Sequence, residues 1–384
     1  MIISRFRLNN WRNFKHVDVP MQERVFLVGP NASGKSNFID AIRFLRDIAK
    51  TEGGGLQKAV KDRGGISKIR CLAARKHPEI EIETELSQGN GSKASWVYSI
   101  GIRQDPRGYR QPYIVHEKVW KDGSLILERP DSDDKKDKMR LTQTHLEQIS
   151  ANEPYREVAR FFSSISYTHL VPQLLRHPGM FKGFIGNEDP FGRTFLDRIS
   201  ETTSKTRIFR LGKIEKALKT AVPQLKKLSL SKDKKGIPHL EAVYEHWRAQ
   251  GAKQNEEEFS DGTLRLIGLL WCLLEGDSLL MLEEPELSLH PGIISKLPAI
   301  LWRVQAKKKR QVIVSTHSPD LLSDHGISAE EVLMLTPIEE GTKIELASSK
   351  KEIKSLLENG LSIGEIIIPK TEPEQIQQLL LNFQ

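Results

Sequence analysis

The sequence contains few of the residues that build cross-linked or membrane-spanning folds. Two cysteines occur among 384 residues, and neither Cys71 nor Cys272 has another cysteine or a histidine at zinc-finger spacing. A disulfide framework and a structural zinc are therefore not expected. The longest apolar run, residues 266–274, is far shorter than the roughly 20 residues that cross a bilayer. The sequence predicts no membrane partner.

A targeting signal is also missing from the amino end. Arg5, Arg7 and Arg12 interrupt any apolar segment that would serve as a secretory signal, so we expect a cytoplasmic protein. The sequence has no internal repeat and no sustained heptad pattern, which argues against a long coiled coil. The charge is mildly unbalanced, with 58 basic and 50 acidic residues and a net charge of +8. That excess is compatible with binding to nucleic acid, although runs of charge also form ordinary solvated faces.

One segment carries a specific chemical signal. Residues 29–36 read Gly-Pro-Asn-Ala-Ser-Gly-Lys-Ser, fit the pattern G-x-x-x-x-G-K-[ST], and lie between an apolar strand and a helical pattern. In that context the backbone N–H groups of the loop and the helix amino terminus bind phosphate. Lys35 is predicted to reach the β- and γ-phosphates, and Ser36 to ligate Mg²⁺. The predicted nucleotide-binding residues of the loop are Asn31, Ala32, Ser33, Gly34, Lys35 and Ser36. The alternative is an ordinary glycine turn that begins a helix.

A second apolar strand ends in two carboxylates. Residues 279–282 are Leu-Leu-Met-Leu, and Glu283 and Glu284 follow them. A phosphate loop needs one carboxylate in the Mg²⁺ shell and another that orients the attacking water. Because adjacent side chains at a strand end point in different directions, we assign Glu283 to the metal and Glu284 to the water. By itself the pair also fits a strand end with exposed glutamates.

Two more polar segments lie on either side of that strand in the chain. Ser260 or Asp261 is suited to cap the apolar helix that follows, and a helix start beside Gly262 is also an anion site. Sequence chemistry does not choose between these two roles. His317 follows the buried-type strand at residues 312–316, where it either bonds a γ-phosphate or serves the fold alone.

The remaining pattern suggests a division into four segments. Residues 1–130 contain two strand-like stretches (1–8 and 17–28), the phosphate loop and a run of antiparallel hairpins over 79–130. Residues 131–258 are mostly helical, with a strand near 163–170 and a hairpin over 225–246.

The other two segments begin at residue 259. Residues 259–345 return to alternating strands and helices and end in a strand pair. Residues 346–384 form a helical tail, with helices near 351–359 and 373–381.

The motifs, taken in this order, resemble those of ABC-type ATPases of the RecF/SMC/OLD group. The resemblance rests on the amino end through Asn37, on residues 259–265 as the signature, on 283–291 as Walker B and D-loop, and on 315–319 as the H-loop. It implies an α/β fold, an ABC-type head in which a P-loop NTPase mixed sheet adjoins an antiparallel β subdomain and a helical lobe. The chain is most similar to a stand-alone OLD-like ATPase.

The same resemblance implies roles for individual residues. Two heads would enclose two ATP molecules, with Ser260 and Gly262 of one subunit at the γ-phosphate bound by the other. His317 would act as a γ-phosphate sensor, and Gln173 is the candidate for the Q-loop glutamine. Asn37 would join the nucleotide-binding residues. Glu283 stands where most ABC proteins carry aspartate, a substitution similar to that of the OLD-like branch.

OLD nucleases carry a Toprim nuclease domain after the H-loop, whereas 67 residues follow His317 here (384 minus 317). We therefore expect an ATP- and Mg²⁺-dependent ATPase that forms a homodimer or larger homo-oligomer. It would act as a switch for a separate effector, a nuclease or toxin, in bacterial anti-phage defence. The alternative is a RecF-like DNA-binding repair or clamp protein, favoured by basic clusters within residues 58–70, 226–235 and 307–310. A transporter subunit is disfavoured because the motifs do not match that class.

Overall fold

The computed structural model describes residues 1–74, 78–105, 111–177, 189–246 and 251–371. The strands are β1 (Ile2–Trp11), β2 (Phe14–Pro20), β3 (Arg24–Val28), β4 (Ile80–Ser87), β5 (Trp96–Gln104), β6 (Pro112–Lys121), β7 (Ser124–Arg129), β8 (Ser166–Thr168), β9 (Leu225–Lys232), β10 (Pro238–Tyr244), β11 (Ala252–Asn255), β12 (Leu280–Glu283), β13 (Val312–Thr316), β14 (Val332–Ile338) and β15 (Gly341–Leu346). The helices are α1 (Lys35–Ala49), α2 (Leu56–Lys61), α3 (Ile66–Ile69), α4 (Ser132–Lys136), α5 (Arg156–Ser163), α6 (Pro172–Arg176), α7 (Phe195–Glu201), α8 (Ser204–Ala221), α9 (Asp261–Leu274), α10 (Pro291–Ile294), α11 (Leu297–Lys308), α12 (Lys351–Glu358) and α13 (Ile363–Ile367).

The strands form three sheets. The core sheet has the order β15-β14-β3-β13-β12-β8, and all its neighbouring strands are parallel except the β14–β15 pair. The antiparallel sheet has the order β2-β1-β4-β5-β6-β7, and the small sheet has the order β11-β10-β9. In the core sheet, β13 lies between β3 and β12, so the chain segments that follow these strands meet at one edge.

Two hydrophobic cores cover the two faces of the core sheet. Val25 and Leu27 of β3 belong to the first core, together with α1 and the inner face of the antiparallel sheet. Phe26 and Val28 belong to the second core, together with α7, α8, α9 and the small sheet. Because successive strand residues point to opposite faces, a strand covered on both sides is apolar throughout, as β3 is.

Several predicted elements are confirmed. The hairpins of residues 79–130 are β4 to β7, paired antiparallel in sequence order. The strand expected near 163–170 is β8, which pairs with β12. The hairpin over 225–246 is β9–β10, and the late strand pair is β14–β15. The helix expected near 373–381 lies outside the described residues.

The structure corrects the strand predicted over residues 17–28. That stretch is two strands in different sheets, since β2 ends at Pro20 and β3 begins at Arg24. Proline has no N–H to continue the ladder, and the N–H of Met21 donates to the Ser4 carbonyl before the chain crosses into the core sheet. Strand β11 was not predicted, because its residues Ala-Lys-Gln-Asn show no apolar alternation. No helix among the described residues is long and apolar enough to cross a bilayer.

Candidate nucleotide site

The loop between β3 and α1 has the backbone shape of a phosphate cradle. Gly34 has φ +96° and Ala32 has φ +62°, both in the left-handed region. A Cβ atom on Gly34 would lie 2.2 Å from Nδ2 of Asn13, so glycine is required there. The Asn13 amide donates to the carbonyl of Ser33 and accepts from Asn37, so it holds the loop to the first turn of α1.

The Lys35 ammonium lies across this loop. Its Nζ donates to the carbonyl oxygens of Gly29 and Pro30 at 2.9 and 3.1 Å. Burial lowers the pKa of Lys35, and the carboxylates of Glu284, Glu286 and Glu283 oppose that shift. The cation is therefore held by neutral carbonyl groups close to three acids, in a position where an anionic ligand would stabilise it.

The core sheet brings Glu283 to the amino end of α1. Glu283 is the last residue of β12 and is in register with Ser315 of β13, which is in register with Leu27 of β3. The Ser36 hydroxyl donates to Glu283 Oε1, and the Tyr167 hydroxyl donates to Oε2. Burial raises the pKa of Tyr167, and the Glu283 charge raises it further, so its proton stays available for this bond.

Glu284 takes a different direction from Glu283. It has φ +44°, and its N–H donates to the carbonyl of Ser315 at 3.0 Å. Its Oε1 lies 3.2 Å from Nδ1 of His317, and Arg265 donates to its carbonyl oxygen at 3.4 Å. The left-handed backbone turns the second carboxylate away from the first. His317 contacts that carboxylate, and Arg265 holds the main chain of the same residue.

The next acid of the same segment supports the end of β13. The Thr316 hydroxyl donates to Oε1 of Glu286 at 2.6 Å, and both residues are buried. Burial raises the pKa of Glu286, while the bond from Thr316 opposes the rise. This contact ties the start of the segment after β12 to the residue before His317.

The signature residues form the start of α9. Ser260 is the N-cap and accepts from the N–H of Thr263 at 3.2 Å. A Cβ atom on Gly262 would lie 2.6 Å from the carbonyl oxygen of Ser288, so the helix start packs closely on the segment after Walker B. The hydrogen-bond partners of Ser260 and Asp261 among the described residues do not include the phosphate loop.

Gln173 lies with the signature and not with Glu283. Its side chain donates to Asp261 at 3.1 Å, and Arg176 from the same helix donates to the other oxygen of Asp261 at 2.6 Å. The residues that reach Walker B from this part of the chain are Tyr167, through the bond to Oε2, and His169, whose Nδ1 lies 3.3 Å from the Glu283 carbonyl oxygen. Sequence reasoning missed Tyr167 and His169. Their only signal was the short strand β8, whose neighbour in the sheet is not evident from sequence.

The donor set fits a magnesium nucleotide. The Ser33 hydroxyl is buried and makes no hydrogen bond among the described residues, so it has a free donor within the loop. Ser36 and Glu283 offer hydroxyl and carboxylate oxygens, which Mg²⁺ prefers, and Mg²⁺ sites use only one or two such groups beside phosphates. Lys35 supplies the positive charge that a triphosphate requires.

Comparison with known proteins gives one family and two groups of similar proteins. Residues 24–323 match the family model described as "AAA domain, putative AbiEii toxin, Type IV TA system". DNA replication and repair protein RecF from Lactobacillus gasseri is 31% identical over 99 residues, which are 25% of this chain and 26% of that protein. RecF from Bacillus mycoides is 26% identical over 95 residues. The chain thus spans about a quarter of the length of these relatives.

Two solved SMC heads share the fold. An SMC head bound to the C-winged helix domain of ScpA has a TM-score of 0.54 at 16% identity, over 90% of this chain and 98% of that one. An Smc head with an extended coiled coil, bound to the C-terminal domain of ScpA derived from Pyrococcus furiosus, has a TM-score of 0.51 at 14% identity, over 93% and 99%. The predicted fold class, the α/β fold of an ABC-type head, is confirmed.

Proposed function

Because the chain belongs to the AAA-domain family named after the AbiEii toxin, and so to the ABC-type ATPases of the RecF/SMC group, we propose that it is an ATP-driven switch. It binds and hydrolyses ATP with Mg²⁺, and the bound nucleotide joins two subunits. The observation that carries this proposal is the contact between Ser36 and Glu283 beside the Lys35 ammonium. These three groups are the minimum that a magnesium triphosphate site requires.

Each residue has a defined part in the proposed reaction. The N–H groups of residues 31–36 and the Lys35 ammonium bind the phosphates, while Ser36 and Glu283 hold Mg²⁺. When bound, the metal neutralises charge on the transferring phosphoryl group. Glu284 orients the attacking water and accepts its proton, and the neighbouring His317 contacts the γ-phosphate.

The proposed dimer is supported by the position of the signature. Ser260 caps its own helix start and is exposed. Gly262 packs against the carbonyl oxygen of Ser288. We propose that they complete the site of a second subunit by contacting its γ-phosphate. Gln173 holds Asp261 at that helix start, so its proposed role is to position the signature beside the nucleotide. Larger assemblies would then be built from such dimers.

The output of the switch is a separate protein. The family description names a toxin, and the two similar SMC heads were solved with a domain of another protein bound, so heads of this fold carry partners. We propose a nuclease or toxin as the effector, acting in anti-phage defence. Purification of the chain together with the product of the adjacent gene, with and without ATP, tests that pairing directly.

The central experiment measures phosphate release and mass together. The purified chain is incubated with Mg²⁺ and ATP, with ADP, or with ATP and EDTA, and its mass is followed by light scattering. We expect phosphate release only with Mg²⁺ and ATP, and a doubled mass with ATP but not with ADP. Absence of phosphate release would refute the proposed hydrolysis, and an unchanged mass would refute the dimer joined by ATP.

A second function, duplex DNA binding, is favoured by one basic surface. Exposed lysines cluster on α8 and around the β9–β10 hairpin: Lys205, Lys216, Lys219, Lys226, Lys227, Lys232, Lys234 and Lys235. Four acids lie nearby. Glu215 pairs with Lys219, Glu245 lies 3.6 Å from Lys226, Glu241 lies 3.4 Å from Lys253, and Asp233 accepts from two backbone N–H groups of its own turn. The exposed lysines outnumber these acids, so the surface carries a net positive charge.

In the two other basic clusters, several members bond within the fold. Lys308 and Arg310 donate to carbonyl groups at and after the carboxyl end of α9, including those of Leu274 and Glu275. Arg63, in the first cluster, bonds Asp40 and Asp47. A DNA test should therefore reverse the charge of Lys226 and Lys227. If the chain is a clamp, that variant binds a labelled duplex more weakly at low salt, and its affinity falls less steeply with salt, by a log–log slope of about 0.9 per lost phosphate contact.

A further inference from the structure

Tyr167 makes the second contact to the carboxylate proposed to hold Mg²⁺. It lies in the middle of β8, in register with Met281 of β12, so its side chain stands beside the end of that strand. Its hydroxyl donates to Glu283 Oε2, while the Ser36 hydroxyl donates to Oε1. Each oxygen of Glu283 therefore has its own donor, and the plane of the carboxylate is fixed from two sides.

Arg43 holds Tyr167 in place. Its guanidinium carbon lies 4.1 Å from the centroid of the Tyr167 ring, within the range of a cation–π contact. Arg43 is seven residues after Ser36 on α1, and Asp40 lies between them, so all three residues share one face of the helix. Asp40 lies 3.9 Å from Arg43 and is itself bound by Arg12 at 2.7 Å. The face of α1 that begins at Ser36 thus also supports the tyrosine.

We propose that Tyr167 is a positioning residue for Glu283, and that Arg43 acts through it. This inference rests on the proposed function, since Glu283 has this role only if the chain binds a magnesium nucleotide. Removing a partner that holds a metal ligand in place usually lowers metal affinity or activity by about 10- to 100-fold. Removing the Tyr167 hydroxyl leaves Oε2 of Glu283 without its donor and frees the carboxylate to rotate.

The test separates metal-dependent from metal-independent nucleotide binding. Affinity for ATP is measured by calorimetry in saturating Mg²⁺ and again in EDTA, for the wild type and for Tyr167→Phe. We expect the variant to lose about 10-fold of the Mg²⁺-dependent gain in affinity, with its affinity in EDTA unchanged. The spectrum of Mn²⁺ bound with ATP should also differ from that of the wild type. A tyrosine that served only the fold would change both affinities or neither.

Two more variants make the result specific. Tyr113→Phe is the matched control, because Tyr113 also contacts an arginine, Arg103, with the guanidinium 4.9 Å from its ring, but it lies in the antiparallel sheet. It should bind ATP like the wild type under both conditions. Arg43→Met removes the support of Tyr167 together with the 3.9 Å pair to Asp40, which Arg12 still binds. It should shift the Mg²⁺-dependent affinity in the same direction by a smaller factor and add little to Tyr167→Phe.

The outcomes distinguish the two levels of the proposal. A wild type that takes up no ATP overturns the proposed function and this inference with it. If the wild type binds ATP more tightly with Mg²⁺ and Tyr167→Phe shows the same Mg²⁺-dependent gain in affinity, this inference alone is overturned. If Tyr167→Phe lowers the melting temperature strongly, Arg43→Met decides: an unchanged Mg²⁺-dependent gain in that variant would refute the positioning role.

Discussion

The Ser36 hydroxyl donates a hydrogen bond to the Glu283 carboxylate, although the two residues are 247 positions apart in the chain. The strand order β3-β13-β12 causes this proximity, because parallel strands end at the same edge of the core sheet. The loop after β3 and the acids after β12 therefore form one site. The function proposed above depends on that site, so its residues give the first predictions.

Lys35→Ala should abolish ATP binding without unfolding the protein. Two or more bonds to charged phosphate oxygens are lost, each about 1.5–3 kcal/mol, which predicts affinity lower by at least about 100-fold. Burial lowers the pKa of Lys35, which means that the folded protein already disfavours its charge, so the melting temperature should not fall. Calorimetric titration with ATP and a thermal melt measure the two effects. Lys61→Ala, at an exposed position of α2, is the control, and undiminished hydrolysis by Lys35→Ala would refute the loop assignment.

Glu284→Gln should bind ATP and hydrolyse it slowly. Glutamine has the same shape and fits the same left-handed backbone, but it accepts no proton from water, and loss of a general base costs about 100–10,000-fold in rate. ATP-bound dimers should then accumulate and be visible by light scattering. The exposed Glu330→Gln is the matched control and should hydrolyse ATP at the normal rate. A Glu284→Gln variant that stays monomeric with ATP would contradict a dimer joined by the bound nucleotide.

The site residues that lie within one short motif were predictable from sequence. The residues that contact them from neighbouring strands and loops were not. Lys35 and Ser36 follow a strand within one short motif, and Glu283 and Glu284 end another, so local pattern alone indicated them. Tyr167, His169 and Asn13 reach the site through strand neighbours and loop packing. Nothing in their local sequence encodes which strand lies beside which, so only the folded chain reveals them.

The fold shows the same contrast. Alternation identified β4 and the hairpins after it, because one face of that sheet is buried and the other is solvated. Strand-like sequence at both ends of residues 17–28 concealed a boundary, because a strand from each of two sheets follows there in direct succession. The short polar strand β11 pairs with β10 through its backbone, and a strand of that kind leaves no period in the sequence.

Gly262→Ala should disturb hydrolysis and spare ATP binding. An added Cβ would lie 2.6 Å from the carbonyl oxygen of Ser288, so the start of α9 must move away from the segment after Walker B. A displacement on the order of 1 Å at a catalytic group costs about 100-fold in rate, whereas the phosphate loop is untouched. Gly212→Ala on α8 is the matched control, since its Cβ would meet nothing within 4 Å. It should hydrolyse ATP normally, and equal rates in both variants would exclude a role for the signature packing.

A buried ion cluster at the end of the β6–β7 hairpin gives a prediction for stability. Arg129 donates to both oxygens of Asp134 at 2.9 Å and to Glu117 at 3.0 Å, and all three side chains are fully buried. Burial alone would raise the pKa of Asp134, but the bonds from Arg129, from the Asp131 N–H and from Arg140 hold it well below its usual range. The cluster ties the hairpin to α4 and to Arg140 after it.

Asp134→Asn should therefore destabilise the protein by an amount that depends on pH. Breaking one partner of a buried ion pair costs about 3 kcal/mol of unfolding free energy. Because the folded-state pKa of Asp134 is lowered, its contribution is complete above the unfolded pKa of about 3.9 and is lost as pH falls below it. Urea unfolding is measured at about pH 7, 5 and 3.5, a range that spans the unfolded-state pKa. The loss of unfolding free energy relative to the wild type should shrink only at the lowest pH. The exposed Asp133→Asn, whose pair with Lys136 is solvated, should change stability by less than about 0.5 kcal/mol, and a pH-independent effect of Asp134→Asn would refute the ionised cluster.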